Sequence, residues 1–452
     1  MTGPRGRSRV VIAGGGVAAL EALAGLAERI GDQAELTLVA PERSFVYRPA
    51  STARPFTLGP PREFPLLDVA RDLGARLVRD TVALVDDDRG RVLTRDGDEI
   101  PFDALLLAIG TGLTWPRHDG IHWGRGEESA QAFADLLAEI EGGAAADVGL
   151  IVPRDACWPV DAYELALILA AAAPAGGGAQ VRLVTAEERP LESFGGVASE
   201  AITVELEHAG VKLTAGIPEA EALPFDRVLS VPAAAGAHVG GVPRTSSGLI
   251  PVTASSRVQG AERVWAAGDC TPFALKHALL AARQADAALE QIAAAMLGTD
   301  ADVPPPESRL QGMLVLPGRS LSGSVWVRPG EPLTHCLWWP PGRAAGGHLA
   351  SYLSAHDRAI RHGLVWHPHG LPVDVPVAQV AADAARVPAP DDEAFERDAL
   401  DRELLALARL GRESARGERR LERGLRELER RQRAVVEQLE AAGYLHHDVT
   451  PG

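Results

Sequence analysis

The sequence predicts an α/β protein in which one parallel-sheet domain is interrupted by a second. Three observations support this. The chain begins with a strand–turn–helix–strand unit over 9–40, and two later buried strands, at 103–112 and 262–269, each lead into a glycine-containing turn. Parallel strands need a crossover connection, which a helix usually supplies. The 452 residues are several times a typical domain of roughly 150 residues, so a C-terminal extension also fits.

Composition excludes several classes of protein. Apolar residues make up 46% and charged residues 23% of the chain, which is ordinary globular usage and argues against disorder. The formal charge of −16 argues against binding nucleic acid through the overall field. No apolar run reaches the roughly 18 residues needed to span a bilayer, and the short basic start does not resemble a signal peptide. Three cysteines without a CxxC motif predict a cytoplasmic location.

The N-terminal unit has the arrangement of a nucleotide-binding turn. A strand at 9–13 leads into a glycine-rich turn at 14–19, and a helix with apolar residues at helical spacing follows over 20–30. Gly31 ends this helix, and a second strand covers 35–40. Such a unit brings the free N–H groups of the helix N-terminus to the end of the first strand, where phosphates can bind.

The turn itself fits the G-x-G-x-x-A fingerprint of dinucleotide sites. Gly14 permits the tight bend, Gly16 lets a pyrophosphate approach the backbone, and Ala19 lets the helix pack close to the strand. A ribose-binding carboxylate is expected about 20 residues further on. Glu42 is the nearest candidate, with a solvated turn residue as the alternative.

Three motifs in order resemble the two-dinucleotide-binding-domain flavoproteins, which include the pyridine nucleotide–disulfide oxidoreductases. They are GGGVAA at 14–19, LLLAIGTG at 105–112 and VWAAGD at 264–269. The resemblance implies that the first motif binds the ADP half of FAD. It also implies that the Gly-Asp end contacts the ribityl phosphate and that the next helix points its positive end at the flavin. The implied FAD residues are Gly14, Gly15, Gly16, Ala18, Ala19, Glu42, Arg48, Val82, Gly110, Thr111, Gly112, Gly268, Asp269 and Lys276.

The inserted domain, predicted at 113–255, lacks a second glycine fingerprint. The residues after its first strand, 153–165, contain no glycine, so a nicotinamide dinucleotide would lack the usual phosphate turn. The stretch 157–165, CWPVDAYEL, resembles the corresponding stretch of sulfide:quinone oxidoreductases and flavocytochrome c sulfide dehydrogenases. In those enzymes a cysteine pair forms a disulfide beside the flavin, and sulfide attacks it.

This resemblance implies a catalytic role for Cys157 and a second cysteine as its partner. The segment where the partner is expected, 309–327, is predicted to be a hairpin and contains no cysteine, which leaves Cys336 as the candidate. A disulfide needs Cα atoms within about 7 Å, and the attacking group must be a thiolate. A small buried thiol is the alternative for both residues.

A small α+β domain and a charged helical tail are predicted at the C-terminal end. Leucines of the tail fit one heptad register, so the tail could dimerise, dock a partner or pack on its own body. His362, His367 and His369 lack further ligands at suitable spacing, and no metal is predicted. The predicted domains are 1–112 with 256–308 for FAD, 113–255 for the second dinucleotide-binding-type domain, 309–382 for an interface or capping domain, and 391–446 for the tail.

The sequence thus predicts an FAD-dependent oxidoreductase similar to sulfide:quinone oxidoreductases. Electrons would pass from a small-molecule donor through the flavin to a quinone or another acceptor, without nucleic acid. Peripheral membrane contact and a homodimer through the C-terminal region remain open. One alternative is an NAD(P)H-dependent FAD reductase resembling type II NADH dehydrogenases or ferredoxin reductases. The other is a flavin-binding interaction protein that acts through its helical tail.

Overall fold

The computed structural model describes most of the predicted FAD domain and inserted domain. Arg48, Cys336, the tail at 391–446 and most of the predicted domain 309–382 lie outside the described residues. The described ranges are 7–47, 62–117, 119–124, 127–173, 178–194, 196–217, 224–236, 239–273, 275–301, 309–313, 347–356 and 372–376.

Helices and strands alternate through most of these ranges. The helices are α1 Val17–Ile30, α2 Leu66–Asp72, α3 Glu127–Glu141, α4 Val160–Ala172, α5 Gly196–His208, α6 Ala278–Leu297 and α7 Gly347–His356. The strands are β1 Ser8–Ala13, β2 Ala34–Val39, β3 Ser44–Tyr47, β4 Arg62–Pro65, β5 Arg76–Val78, β6 Val82–Asp86, β7 Arg91–Thr94, β8 Glu99–Pro101, β9 Ala104–Leu107, β10 Leu113–Thr114, β11 Ile121–His122, β12 Asp147–Val152, β13 Gln180–Thr185, β14 Lys212–Thr214, β15 Arg227–Ser230, β16 Ala233–Ala234, β17 Val264–Ala266, β18 Arg309–Met313 and β19 Pro372–Pro376.

The first domain is built on a five-stranded parallel sheet in the order β17-β9-β1-β2-β5. Central strand β1 pairs with β2 from Ser8–Ala34 to Ala13–Val39 and with β9 on its other side. Because neighbouring strands are parallel, their carboxyl ends share one edge of the sheet. The turns that follow β1, β9 and β17 therefore meet at that edge.

The inserted domain contains a second five-stranded parallel sheet in the order β11-β15-β12-β13-β14. Strand β12 pairs with β13 from Asp147–Gln180 to Val152–Thr185. The antiparallel pair β10-β16 joins the segments that lead into and out of this sheet. The predicted fold class, α/β with one Rossmann-type domain split by another, is confirmed.

Helices α1, α6 and α7 bury their apolar sides in one cluster with strands of the first sheet. Helix α1 is rich in Ala and Leu, which favour helix formation. Each fully buried Leu of such a cluster contributes about 2 kcal/mol. On the other face of the sheet, β6, β7 and β8 form an antiparallel sheet whose Val92 and Ile100 pack in a second cluster.

Three local expectations change in the structure. Helix α1 begins at Val17 instead of Leu20, because the alanines after the glycines join the helix and extended Gly16 is its N-cap residue. The alternation of residues 76–94 in the sequence suggests a short meander of strands, but Arg76–Val78 pair in parallel with β2 and belong to the first sheet. Strand β18, expected to begin a local hairpin, pairs antiparallel with the distant β19.

None of the helices in the described ranges combines the length and apolarity needed to cross a membrane.

Candidate functional site

The glycine turn after β1 holds the N-terminus of α1 at the carboxyl edge of the first sheet. The Gly14 N–H donates to the Val39 carbonyl at 2.8 Å, which closes the turn against β2. Gly14 has a φ of +123°, and a Cβ there would lie 2.0 Å from the Ala108 oxygen. A Cβ at Gly16 would instead meet no atom within 4 Å. The turn thus leaves open space beside the first N–H groups of α1, as an approaching phosphate requires.

Glu42 lies directly over this turn. It follows β2, its side chain is exposed, and its Oε2 atom is 3.0 Å from the position that a Cβ on Gly15 would occupy. A carboxylate in this position can accept hydrogen bonds from ribose hydroxyls while the phosphates sit at the helix N-terminus.

The Gly-Thr-Gly turn after β9 is the second open segment. Gly110 has a φ of +69°, and a Cβ there would again meet nothing within 4 Å. The Thr111 hydroxyl is buried and has no hydrogen-bond partner in the described part of the protein. Buried hydroxyls are normally paired. This turn and the Gly16 turn therefore fit a bound polar group such as a dinucleotide.

The Gly-Asp turn after β17 packs against the start of α1. A Cβ at Gly268, which has a φ of +82°, would lie 3.2 Å from the Ala18 Cβ. Burial raises the pKa of Asp269, and the opposing effect comes from Lys276. Burial lowers the pKa of Lys276 in turn, and Asp269 counteracts this shift. Each of these two side chains thus favours the charged form of the other at the edge of the sheet.

Cys157 is fixed between this region and the inserted domain by its backbone. Its N–H donates to the Pro232 carbonyl at 2.8 Å, and its carbonyl accepts from the Lys276 N–H at 2.7 Å. Burial, reinforced by Asp269, raises the pKa of the Cys157 thiol to about 12. The structure therefore brings Cys157, Asp269 and Lys276 together, with the thiol protonated at neutral pH.

Aromatic rings line the same junction. The Trp158 ring lies 4.8 Å from the His277 ring and 5.5 Å from the Phe194 ring, measured between centroids. His277 is the N-cap residue of α6, because its Nδ1 atom accepts the Leu279 N–H. The start of α6 is thus packed against the segment that begins α4.

The corresponding edge of the second sheet is occupied by its own side chains. Glu187 comes two residues after β13, whereas Glu42 comes three residues after β2, and Glu187 is only 4% exposed. Its carboxylate accepts from the Tyr163 hydroxyl at 3.0 Å and from the Glu192 N–H at 3.0 Å. The Thr185 hydroxyl adds a contact at 3.3 Å. A ribose acid must offer free lone pairs to a ligand, so this carboxylate does not fit that role.

The remaining predicted residues lie at the margins of the site. Ala18 and Ala19 are buried in the first turn of α1, and Gly112 donates its N–H to the Gly236 carbonyl. Val82 begins β6, and its side chain packs in the apolar cluster that contains Ala13. The proposed FAD contact of Arg48 and the redox role of Cys336 fall outside the described residues.

Several residues of this region escape sequence reasoning. Gln284, Thr271 and His277 support the turn after β17 and the start of α6, yet they belong to no fingerprint. The sequence does carry a signal for Glu187, because an acid just after the second strand of a βαβ unit is noticeable. Its hydrogen bond with Tyr163 depends on tertiary structure and leaves no spacing signal.

One cluster outside the edge of the sheet has the side chains of a metal site. Glu21, Asp286 and His348 place potential ligand atoms within 4.8 Å of one another. The Glu21 carboxylate, however, accepts the N–H groups of His348 at 2.8 Å and Leu349 at 3.0 Å in the first turn of α7. The cluster is accounted for as a cap on that helix, and no metal is assigned to it.

Comparisons with known proteins agree with the fold. Residues 8–222 match the sequence model of the pyridine nucleotide–disulphide oxidoreductase family. A segment of 120 residues is 29% identical to the mitochondrial sulfide:quinone oxidoreductase of Dictyostelium discoideum. That match covers 25% of this chain and only 25% of the relative's length.

Solved structures with low sequence identity share the architecture. The sulfide:quinone oxidoreductase of the bacterium Aquifex aeolicus aligns with a TM-score of 0.61 at 16% identity, over 68% of this chain and 81% of that one. A ferredoxin reductase from Rhodopseudomonas palustris aligns with a TM-score of 0.52 at 18% identity, over 68% and 80% of the two chains.

The segment that forms the second parallel sheet is inserted between strands β9 and β17 of the first. Together with the open glycine turns of the first sheet, this arrangement defines a protein of the two-dinucleotide-binding-domain class. Residues 8–222 match the pyridine nucleotide–disulphide oxidoreductase family, and the chain is similar in part of its sequence and in its fold to sulfide:quinone oxidoreductases.

Proposed function

We propose that this protein is an FAD-dependent oxidoreductase. It takes electrons from a small-molecule donor other than NAD(P)H and passes them to a quinone or another acceptor. The sulfide:quinone oxidoreductases to which it is similar motivate the class of reaction, and the donor and acceptor are part of the proposal.

The contrast between the two sheets carries the proposal. At the first sheet, Gly16 and Gly110 face open space and the Glu42 carboxylate is exposed. At the second sheet, the acid Glu187 is buried and bonded to Tyr163, and no glycine turn follows β12. The open glycine turns and the exposed carboxylate of the first sheet support its assignment as the FAD site.

Bound FAD would supply reversible electron transfer that the side chains themselves lack. The N–H groups at the start of α1 would hold its phosphates, and Glu42 would bind its ribose hydroxyls. Asp269 would favour the charged form of Lys276, whose backbone N–H donates to the Cys157 carbonyl. The protein's part is therefore to bind, orient and balance charge.

An anaerobic titration of the purified protein tests the proposal. A visible flavin band should be present, NADH and NADPH should leave it unchanged, and sulfide is the first donor to try, with a quinone as acceptor. Stoichiometric bleaching by NADH would overturn the assignment in favour of a nicotinamide-dependent reductase. Absence of any flavin, even after incubation with FAD, would reject the whole proposal.

A dithiol route is a more specific version that requires both Cys157 and Cys336. Replacing both by Ser should abolish turnover with sulfide if a disulfide accepts its electrons. Unchanged turnover of the Cys157→Ser, Cys336→Ser variant would eliminate this route and leave direct transfer to the flavin. Cys270→Ser is the matched control, since that thiol is fully buried beneath β9 and bonded to the Leu107 carbonyl.

A further inference from the structure

Gln284 is a buried amide that faces the turn after β17. It lies within α6, and its side chain is 3% exposed. Its Oε1 atom accepts the Gly268 N–H at 2.7 Å and lies 3.0 Å from the Thr271 hydroxyl. Its backbone carbonyl accepts the Ser256 hydroxyl at 3.1 Å. The amide therefore ties α6 to both ends of the turn that carries Asp269.

The turn is held from a second direction by Lys276. The Lys276 ammonium donates to the Thr271 carbonyl at 2.7 Å, and the Thr271 N–H donates to the Gly268 carbonyl at 3.0 Å. Gly268 meanwhile packs against Ala18 in the first turn of α1. A shift of this turn would thus move Asp269 relative to Lys276.

We propose that Gln284 is a positioning residue for the cofactor, because its amide oxygen fixes the Gly268–Thr271 turn against which the flavin half of FAD binds. The inference rests on the proposed function. It assigns Gln284 no contact with the cofactor, and its effect passes through the turn.

The physical reason is that nothing apolar can replace this acceptor. Without it, the Gly268 N–H is buried and unpaired, a state that proteins avoid because the group has lost its hydrogen bond to water. Since Gly268 has a φ of +82°, few alternative conformations would recover the bond while keeping Asp269 in place. The turn would relax, and the binding surface with it.

The adenine half of the site is built from other bonds. Gly14 is held by the Val39 carbonyl, and Glu42 stands over Gly15, without any contribution from Gln284. A positioning role at the flavin half therefore predicts different effects on FAD and on ADP, which carries only the adenine, ribose and pyrophosphate.

The test compares FAD and ADP binding to the apoprotein of Gln284→Met by titration calorimetry. The dissociation constant for FAD should rise about tenfold, as expected for one buried bond, while that for ADP stays within about twofold of wild type. Gln291→Met is the matched control. It is the same change on the same helix, but the Gln291 amide donates to the Ala301 carbonyl, beyond the C-terminal end of α6 and not at the turn after β17. This control should bind both ligands like wild type.

Thr271→Val provides a second variant that preserves shape, in case the first fails to fold. Loss of its hydroxyl should weaken FAD binding about threefold and leave ADP binding unchanged. The double variant should lose less than the product of the single effects, because both changes disrupt the same turn.

Each outcome decides the inference. Unchanged FAD binding in both single variants overturns it, and so does equal weakening of FAD and ADP, which would indicate a general structural role. If the wild-type protein binds no FAD, the proposed function fails and this inference with it. If the wild type binds FAD and both single variants bind it with the same dissociation constant, the proposed function stands and Gln284 has no positioning role.

Discussion

Gly14 and Gly16 are two residues apart in one turn, yet an added methyl group would meet different surroundings at each. At Gly14 it would strike the Ala108 carbonyl, in a backbone conformation that L-residues rarely adopt. At Gly16 it would enter empty space next to the start of α1, with an ordinary φ of −92°. The fold thus requires glycine at position 14, whereas at position 16 the structure itself leaves room for a side chain.

Gly16→Ala should consequently separate cofactor binding from folding. The free energy of unfolding of the apoprotein should change by less than about 1 kcal/mol, while FAD binding weakens at least about tenfold because the methyl group occupies the path of the pyrophosphate. Chemical denaturation and FAD titration measure the two effects. Gly14→Ala is the comparison: it should destabilise the apoprotein by about 2 kcal/mol or more. Tight FAD binding by Gly16→Ala would contradict the assignment of this turn.

The thiol of Cys157 should react slowly in the folded apoprotein. Burial raises its pKa from the ordinary 9.0 to about 12, so its thiolate fraction at neutral pH falls roughly a thousandfold. Mass spectrometry after timed alkylation with iodoacetamide, in native buffer and in urea, checks this. Cys270, also raised to about 12 by burial, is the internal reference. Equal labelling of Cys157 in both conditions would show that its environment activates the thiol.

Helix α7 illustrates how a single carboxylate can hold an entire element. It comes from a part of the chain far from α1, and Leu349 and Leu353 bury its apolar side beside that helix. Its first N–H groups are satisfied by Glu21, which lies fully buried in the middle of α1. Such an anion is favourable at a helix N-terminus because it pairs with unsatisfied N–H groups.

This cap should make stability depend on pH. Burial and the neighbouring Asp286 of α6 outweigh the cap bonds, which favour the charged form, and raise the pKa of Glu21 from 4.5 to about 7. Burial raises the pKa of Asp286 as well. His348 of α7 and Arg29 of α1 favour the charged form of Asp286, whereas Glu290 of α6 opposes it. An acid with a raised pKa holds its proton more tightly when folded. The free energy of unfolding should therefore rise as pH falls from about 7 towards 4.5, by at most about 1.4 kcal/mol per pH unit for one proton.

Asp286→Asn should flatten this dependence, because the like charge beside Glu21 is removed. Urea denaturation at pH 5, 6 and 7 would measure the slope in wild type and variant. Asp300→Asn, at an exposed position beyond α6, should keep the wild-type slope. An unchanged slope in Asp286→Asn would mean that other groups control the pH dependence.

Local pattern was enough to predict most elements but not their partners. The glycine turn, α1 and β2 follow from propensity and spacing within 40 residues of the N-terminus. The pairing of β18 with β19 and the capping of α7 by Glu21 join segments far apart in the chain. No local rule encodes such contacts, because a mid-helix Glu or an isolated strand has the same sequence signature with any partner.

The candidate site divides in the same way. Its fingerprint residues were predictable, since a phosphate turn demands glycine at fixed positions. Gln284 was not, because a glutamine within a helix has no spacing that marks it as the partner of a turn. The experiments on FAD and sulfide test the predicted roles of Arg48 and Cys336.

For the whole molecule, the cofactor segments and the charged tail should be separable. The described residues proposed to bind FAD lie between Gly14 and Lys276, so deleting 391–452 should leave the FAD dissociation constant within about twofold of wild type. Light scattering of the same truncated protein reports whether the tail drives assembly. Loss of FAD binding on truncation would show that the tail belongs to the site, and would favour a protein that acts through it.

The two sheets of this protein carry the same unit twice. Strands β1, β2, β5 and β9 occupy the same relative positions as β12, β13, β14 and β15. At the carboxyl edge of the second unit, Tyr163 and Glu187 are bonded to each other. For protein engineering, they are the first positions to vary, together with residues 153–158, in order to install a second nucleotide pocket while the first stays intact.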